Sequence, residues 1–273
     1  MVNSFDYKSA LALIVLLALF SGLWVSADPQ PPINIARATL QANGYTKWIW
    51  LESHCESCDI QIISDQPLLL SEPTQAFLHA LSDNKFELMA LYQASAPVSD
   101  SEYNLLAQMC VGILGRESTF FTSRKYWAKE NIPFLVPIAK FLMGKSGDPI
   151  DSRGPTQIKI VPKLIHETYG IVPQNLYVPE NAAIATMGFL IESLDELKNR
   201  ITLNHLKYIN PSNYVDYLPY IYLGETRKLI AGSATPDTNI YVQDMKKYMG
   251  WIEIYERPVG SSQNNASPIL IKN

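Results

Sequence analysis

Glu117 is the side chain best placed to do chemistry. Leu106, Met109, Cys110, Ile113, Leu114 and Glu117 fall at i, i+3, i+4, i+7, i+8 and i+11. On a helix they form one stripe that begins apolar and ends in a carboxylate. A carboxylate at that place points into a core or a cleft, where desolvation favours the protonated form that a general acid requires. Taken alone, the same position also suits a surface Glu in a last helical turn. Further on, the segment Ser-Arg-Gly-Pro-Thr-Gln-Ile at 152–158 closes a stretch rich in Gly, Asp, Ser and Pro, and so reads as a loop. A second group with chemical potential is Cys55-Glu56-Ser57-Cys58. In an oxidising compartment these thiols form a small disulfide. The other readings are a redox-active pair, for which the flanking strand and helix are missing, and a metal site with His54 and Asp59, which crowds four ligands into six residues. Cys110 sits in the apolar stripe and reads as a small core residue.

Elements must position these groups. Ser99 and Glu102 have the spacing of a capping box, so a helix starts there and runs to about Glu117. Before it, 72–92 reads as helix with an interruption at Ser82, Asp83 and Asn84, and 46–51 and 60–63 read as short strands around the Cys pair. After the loop, a helix is expected near Pro162 within 156–169. A strong helix comes next over 180–200, with Ile184, Met187, Leu190, Ile191, Leu194 and Leu197 on one face. The aromatic segment 214–230 and the segment 238–255 complete the helical set, with a polar connection at 204–213.

The ends and composition bound the class. Lys8, the apolar run 10–20 and the small residues at Val25, Ser26 and Ala27 have the order of a secretory signal, with cleavage expected after Ala27. The alternative is an uncleaved anchor, for which the run is short of the roughly 20 residues a span needs. A hydrophobic content of 47% with 18% charged residues is that of a globular chain, and a net charge of −4 argues against nucleic acid as a partner.

The ordered motifs resemble those of lytic transglycosylases of the lysozyme-like superfamily, over roughly 101–255. The family's helix ends in Glu-Ser-x-Phe, matched by Glu117-Ser118-Thr119-Phe120. Its Ser and Gly-Leu-Met-Gln-Ile turn are matched by Ser152, Gly154, Gln157 and Ile158, with Pro155-Thr156 in place of Leu-Met. Its Asn at the start of a helix behind the site is matched by Asn181. Its Ala-Tyr-Asn-x-Gly is matched by the segment 220–224, which lacks the Asn and offers Tyr220 or Tyr222. Its Glu-Thr-x-x-Tyr-Val is matched by the segment ending Tyr241-Val242.

The resemblance implies a mostly α fold: a goose-type, lysozyme-like catalytic domain over 99–256, with a small N-terminal α+β appendage over 28–98 and a tail over 257–273. It implies cleavage of peptidoglycan glycan strands by Glu117 as the sole acid/base, without metal or organic cofactor. Ser152, Gln157, Tyr222, Tyr241 and Asn181 would be the substrate-side residues. The site of action would be the periplasm or the exterior. Two other classes stay open. A hydrolase of the same fold needs a second carboxylate, for which Asp148 and Asp151 are candidates. A non-catalytic scaffold would use the region with the Cys pair to dock into an envelope-spanning machine. A solute-binding protein is disfavoured by the missing α/β alternation.

Overall fold

The structure is a computed structural model, and it describes residues 48–50, 60–64, 66–124, 126 and 152–256. The signal-like segment, Cys55 and Cys58, Asp148 and Asp151, and the tail 257–273 lie outside the described residues.

The protein is mostly helical. In chain order the elements are strands β1 (Trp48–Trp50) and β2 (Ile60–Ser64), helices α1 (Glu72–Asp83), α2 (Lys85–Tyr92), α3 (Asp100–Ser118), α4 (Lys163–Tyr169), α5 (Pro179–Leu203), α6 (Tyr214–Tyr222), α7 (Thr226–Ile230) and α8 (Ile240–Met249), and strand β3 (Glu253–Glu256). Helix α5 is the central post. Every residue from 182 to 188 is buried, so this stretch is covered all round rather than along one stripe. Helices α1, α3, α4 and α6 all pack on it.

Helix α3 starts as its sequence demands. The Ser99 hydroxyl accepts the Glu102 N–H at 3.3 Å, and the Glu102 carboxylate accepts the Ser99 N–H at 2.9 Å. Lys198 of α5 adds an ion pair to Glu102 at 2.7 Å. Helix α8 crosses α3 closely, because a Cβ at Gly112 would sit 2.7 Å from the Met245 carbonyl oxygen and one at Gly115 would sit 2.5 Å from the Tyr248 ring. At these two positions the side chain is absent so that a second helix can come near. The interruption in 72–92 falls at Asn84, which separates α1 from α2. Lys85 is almost fully buried there and is paired with Asp100 at 2.8 Å.

Two elements differ from the sequence reading. The last helix ends at Met249, not near Tyr255, and Glu253–Glu256 is a strand. It pairs antiparallel with β2, Ile62 facing Ile254, while β2 pairs antiparallel with β1. Local periodicity could not reveal this strand, because its pairing partner lies near the other end of the chain. The segment 214–230 is two helices, broken at Leu223 and Gly224, where the glycine φ is +75°. The β2 residues Ile60 and Ile62 and the α1 residues Phe77 and Leu78 are fully buried in the same hydrophobic cluster as α3 and α5. The sheet therefore joins both ends of the described chain to one core. Among the described residues no helix is long and apolar enough to cross a membrane, and no cluster of His, Cys, Asp or Glu has the makings of a metal site. Cys110 is buried as a free thiol.

Candidate active site

Glu117 stands half-buried in the last turn of α3. The backbone just beyond it is unusual. Thr119, Phe120 and Phe121 have φ of +49°, +55° and +67°, three successive left-handed residues with no glycine among them. Each such residue costs roughly 1–2 kcal/mol, so the surroundings must impose this shape. Two residues of the Glu-Ser-x-Phe motif do so. Ser118 is fully buried; its hydroxyl donates to the Leu114 carbonyl at 2.9 Å and accepts the Phe121 N–H at 3.2 Å. Phe120 is also fully buried, stacked on Trp251 at 5.4 Å and set edge-on to Tyr248 at 5.5 Å. The left-handed turn thus swings Phe120 back under the helix end and halts α3 at Ser118, one residue past Glu117.

Two tyrosines stand beside this carboxylate. Tyr222 ends α6, and Tyr241 lies in the first turn of α8, whose start is capped by Asn239 accepting the Tyr241 N–H at 2.9 Å. Their rings lie 6.4 Å apart at a 31° tilt, and Phe189 of α5 meets Tyr222 edge-on at 5.5 Å. Both hydroxyls are held well above the ordinary tyrosine pKa, first by burial. For Tyr222 the next cause is the Glu117 carboxylate; for Tyr241 it is Tyr222 and then Glu117. Both hydroxyls therefore stay protonated next to a carboxylate. The Tyr241 hydroxyl is buried and, among the described residues, has no hydrogen bond of full geometry; the Glu117 carboxylate is near enough to act on it electrostatically.

The turn at 152–158 joins the same group through its backbone. The Tyr222 hydroxyl donates to the Thr156 carbonyl. The turn is closed by Arg153 N–H to the Ile158 carbonyl at 2.9 Å and Gln157 N–H to the Gly154 carbonyl at 3.1 Å. Gly154 is required, because φ is +71° and a Cβ would strike the Leu176 carbonyl oxygen. The Ser152 hydroxyl donates to Gln157 Oε1 at 3.2 Å, and Gln157 Nε2 donates to the Gly154 carbonyl at 2.6 Å. Ser152 and Gln157 thus hold one another and the turn. Beneath, Thr156 is fully buried with its hydroxyl 2.7 Å from that of Thr186 on α5. Thr186 donates its own proton to the Ala182 carbonyl at 2.6 Å, so Thr156 is the donor between the two.

The structure brings together Glu117, Tyr222, Tyr241 and, through Thr156, the turn carrying Ser152 and Gln157. Tyr220, the other tyrosine of the 220–224 motif, is buried elsewhere and accepts the Thr235 N–H at 3.0 Å. Asn181 sits at the start of α5, where its amide donates to the Asn175 carbonyl at 3.3 Å and fastens the preceding turn. Sequence reasoning missed Thr156, Thr186 and Phe189. Thr156 stands out in the sequence only as a departure from the Leu-Met of the resembling turn, and a mid-helix Thr186 carries no local signal of its partner. Comparison with protein-family models, with curated proteins and with solved structures finds no match.

Proposed function

We propose that the protein is an exported peptidoglycan lytic transglycosylase of lysozyme-like fold, cleaving the β-1,4 bond between N-acetylmuramic acid and N-acetylglucosamine with Glu117 as its single acid/base. The observation that carries this reading is the meeting of one half-buried carboxylate with two buried, protonated tyrosine hydroxyls and a glycine turn, contributed by four separate segments. The motif order in the sequence and the signal-like start at 1–27 support the same reading.

In this mechanism Glu117 protonates the leaving glycosidic oxygen as positive charge develops at C1. The substrate's own C6 hydroxyl then attacks C1, and Glu117, now ionised, accepts its proton. The product is a 1,6-anhydromuramic end, so one carboxylate suffices where hydrolases use two. Tyr222 holds the turn at its working distance through Thr156. Tyr241, with spare donor capacity beside Glu117, stabilises the carboxylate once it has given up its proton. Ser152 and Gln157 shape the turn against which the glycan lies. The chemistry asks for no metal or organic cofactor.

The test is mass spectrometry of purified peptidoglycan incubated with wild type and with Glu117→Gln. Anhydromuropeptides from wild type alone are the expected result, with Glu117→Gln slower by about 10²–10⁴. Reducing-end muropeptides would move the protein to the hydrolases. No release by wild type would refute the enzyme reading and favour a scaffold.

A further inference from the structure

Arg116 precedes the proposed acid and is drawn on by none of the steps above. Its guanidinium lies over the Tyr241 ring, 5.5 Å from the centroid. Its Nε is 3.1 Å from Asp244 Oδ2, an ion pair that is not aligned as a hydrogen bond. Asp244 stands three residues after Tyr241 on α8, on the same helix face. The arrangement is a clamp: Asp244 holds the guanidinium, and the guanidinium covers the ring. Tyr241 has need of one. Its hydroxyl lacks a hydrogen bond of full geometry among the described residues, so the direction of that hydroxyl must be set by what touches the ring. Among the described residues, the aromatic ring and the cation set against it are Tyr222 at 6.4 Å and Arg116 at 5.5 Å.

We propose that Arg116 is a positioning residue for the Glu117–Tyr241 pair, aiming the tyrosine hydroxyl at the carboxylate by covering the ring face while Asp244 anchors it. The inference rests on the reading of Glu117 as acid/base and adds to it a residue that touches neither the glycan nor the reacting atoms. A planar guanidinium stacks on a ring and a lysine ammonium does not, so Arg116→Lys keeps the charge and loses the function. The charge has its own electrostatic effect: it opposes the burial that raises the Tyr241 hydroxyl.

The experiment compares wild type, Arg116→Met, Arg116→Lys, Asp244→Asn, Tyr241→Phe and the Arg116→Met/Tyr241→Phe double variant of the purified protein. The first readout is the rate of glycan cleavage. Arg116→Met is expected to lower kcat about 10-fold, since small misplacements near a reacting centre are costly, with KM within about twofold, the sign of a group that acts on the chemical step. Arg116→Lys should recover little, and Asp244→Asn should fall between. On the Tyr241→Phe background Arg116→Met should add less than about twofold, because both act through one hydroxyl. Effects that multiply, or a change in KM alone, would overturn the proposal and make Arg116 a substrate-binding residue.

The second readout needs no activity. In protein carrying ¹³C-labelled tyrosine and glutamate, Arg116→Met and Asp244→Asn should each move the Tyr241 Cζ and Glu117 Cδ resonances, with the thermal melt of Asp244→Asn unchanged. A wild type that cleaves nothing would sink the acid/base reading while these spectra still judge the clamp. Unmoved resonances would sink the clamp whatever the activity.

Discussion

Thr119→Gly should stabilise the protein, an uncommon expectation for a mutation beside a proposed active site. Thr119 is β-branched and sits at φ +49°, ψ +52°, a region in which such a residue is a true outlier. Relief of that strain is worth roughly 1–2 kcal/mol. Glycine adds freedom to the unfolded chain, which takes back about 0.5–1 kcal/mol. The hydrogen bonds at this residue survive the change, because they are made by its backbone: the Thr119 N–H donates to the Gly115 carbonyl at 3.0 Å, and the Thr119 carbonyl accepts the Thr122 N–H at 3.2 Å and the Thr122 hydroxyl at 2.6 Å. The net gain is about 0.5–1 kcal/mol, or roughly 1–4 °C in Tm for a domain of this size. Urea denaturation with matched m-values and a thermal melt measure it. The functional consequence has the opposite sign. The left-handed turn fixes Glu117, and a glycine hinge two residues away loosens it, so glycan cleavage should slow several-fold as stability rises. A loss of stability beyond about 0.5 kcal/mol would refute the reasoning, because it would mean that the turn is not strained at Thr119.

Three further outcomes rest on named contacts. Gly154→Ala should destabilise the protein by about 2–5 kcal/mol, combining left-handed strain with a Cβ driven onto the Leu176 carbonyl oxygen; a urea midpoint within error of wild type would contradict this account of the turn. Tyr222→Phe removes the donor to the Thr156 carbonyl and should cost about 1–3 kcal/mol in chemical denaturation, with Phe189 packing retained. Glu192 is raised above the usual carboxylate range by burial, against the opposing hydrogen bond from Tyr92 at 3.2 Å. Its folded form thus binds a proton more tightly than its unfolded form. That contribution is complete below the unfolded value of about 4.3 and is lost as pH rises through the raised folded value. Glu192→Gln should therefore raise Tm slightly at pH 7, with the difference closing below about pH 4, and a constant offset across that range would reject the linkage.

The sequence is legible where chemistry is local. The capping box at Ser99 and Glu102, the stripe ending in Glu117 and the glycine turn at Gly154 are all set by residues within a few positions of one another, and all appear where their spacing puts them. Strand β3 reads as helix in isolation because Glu253–Glu256 becomes a strand only against Ile60–Ser64. Thr156 reads as a mismatch, yet it is the residue that ties the turn both to Tyr222 and, through Thr186, to the central helix. Nothing within several residues of Thr156 or Thr186 reports that the two hydroxyls meet, since that depends on how the turn is laid on α5. The same holds for Arg116 and Asp244, whose pairing requires α3 and α8 to pack side by side.

That packing explains why the helix crossing has glycines at 112 and 115 and aromatics at 120, 248 and 251. A carboxylate positioned to about half an ångström needs a rigid floor, and a helix end is the part of a helix most prone to fray. Here the end of α3 is pinned from three sides: by α8 lying close over Gly112 and Gly115, by Phe120 locked between Tyr248 and Trp251, and by Ser118 bonding the turn on itself. Tyr248 belongs both to the crossing and to the aromatic box, so the stability of the α3–α8 contact and the placement of Glu117 are one quantity. Strain in the left-handed run is tolerable only while that contact holds. A change that pushes α8 away from α3 would let residues 119–121 relax toward right-handed helix, lengthen α3, and carry Phe120 out of its box, removing the constraint that holds Glu117 beside both tyrosines.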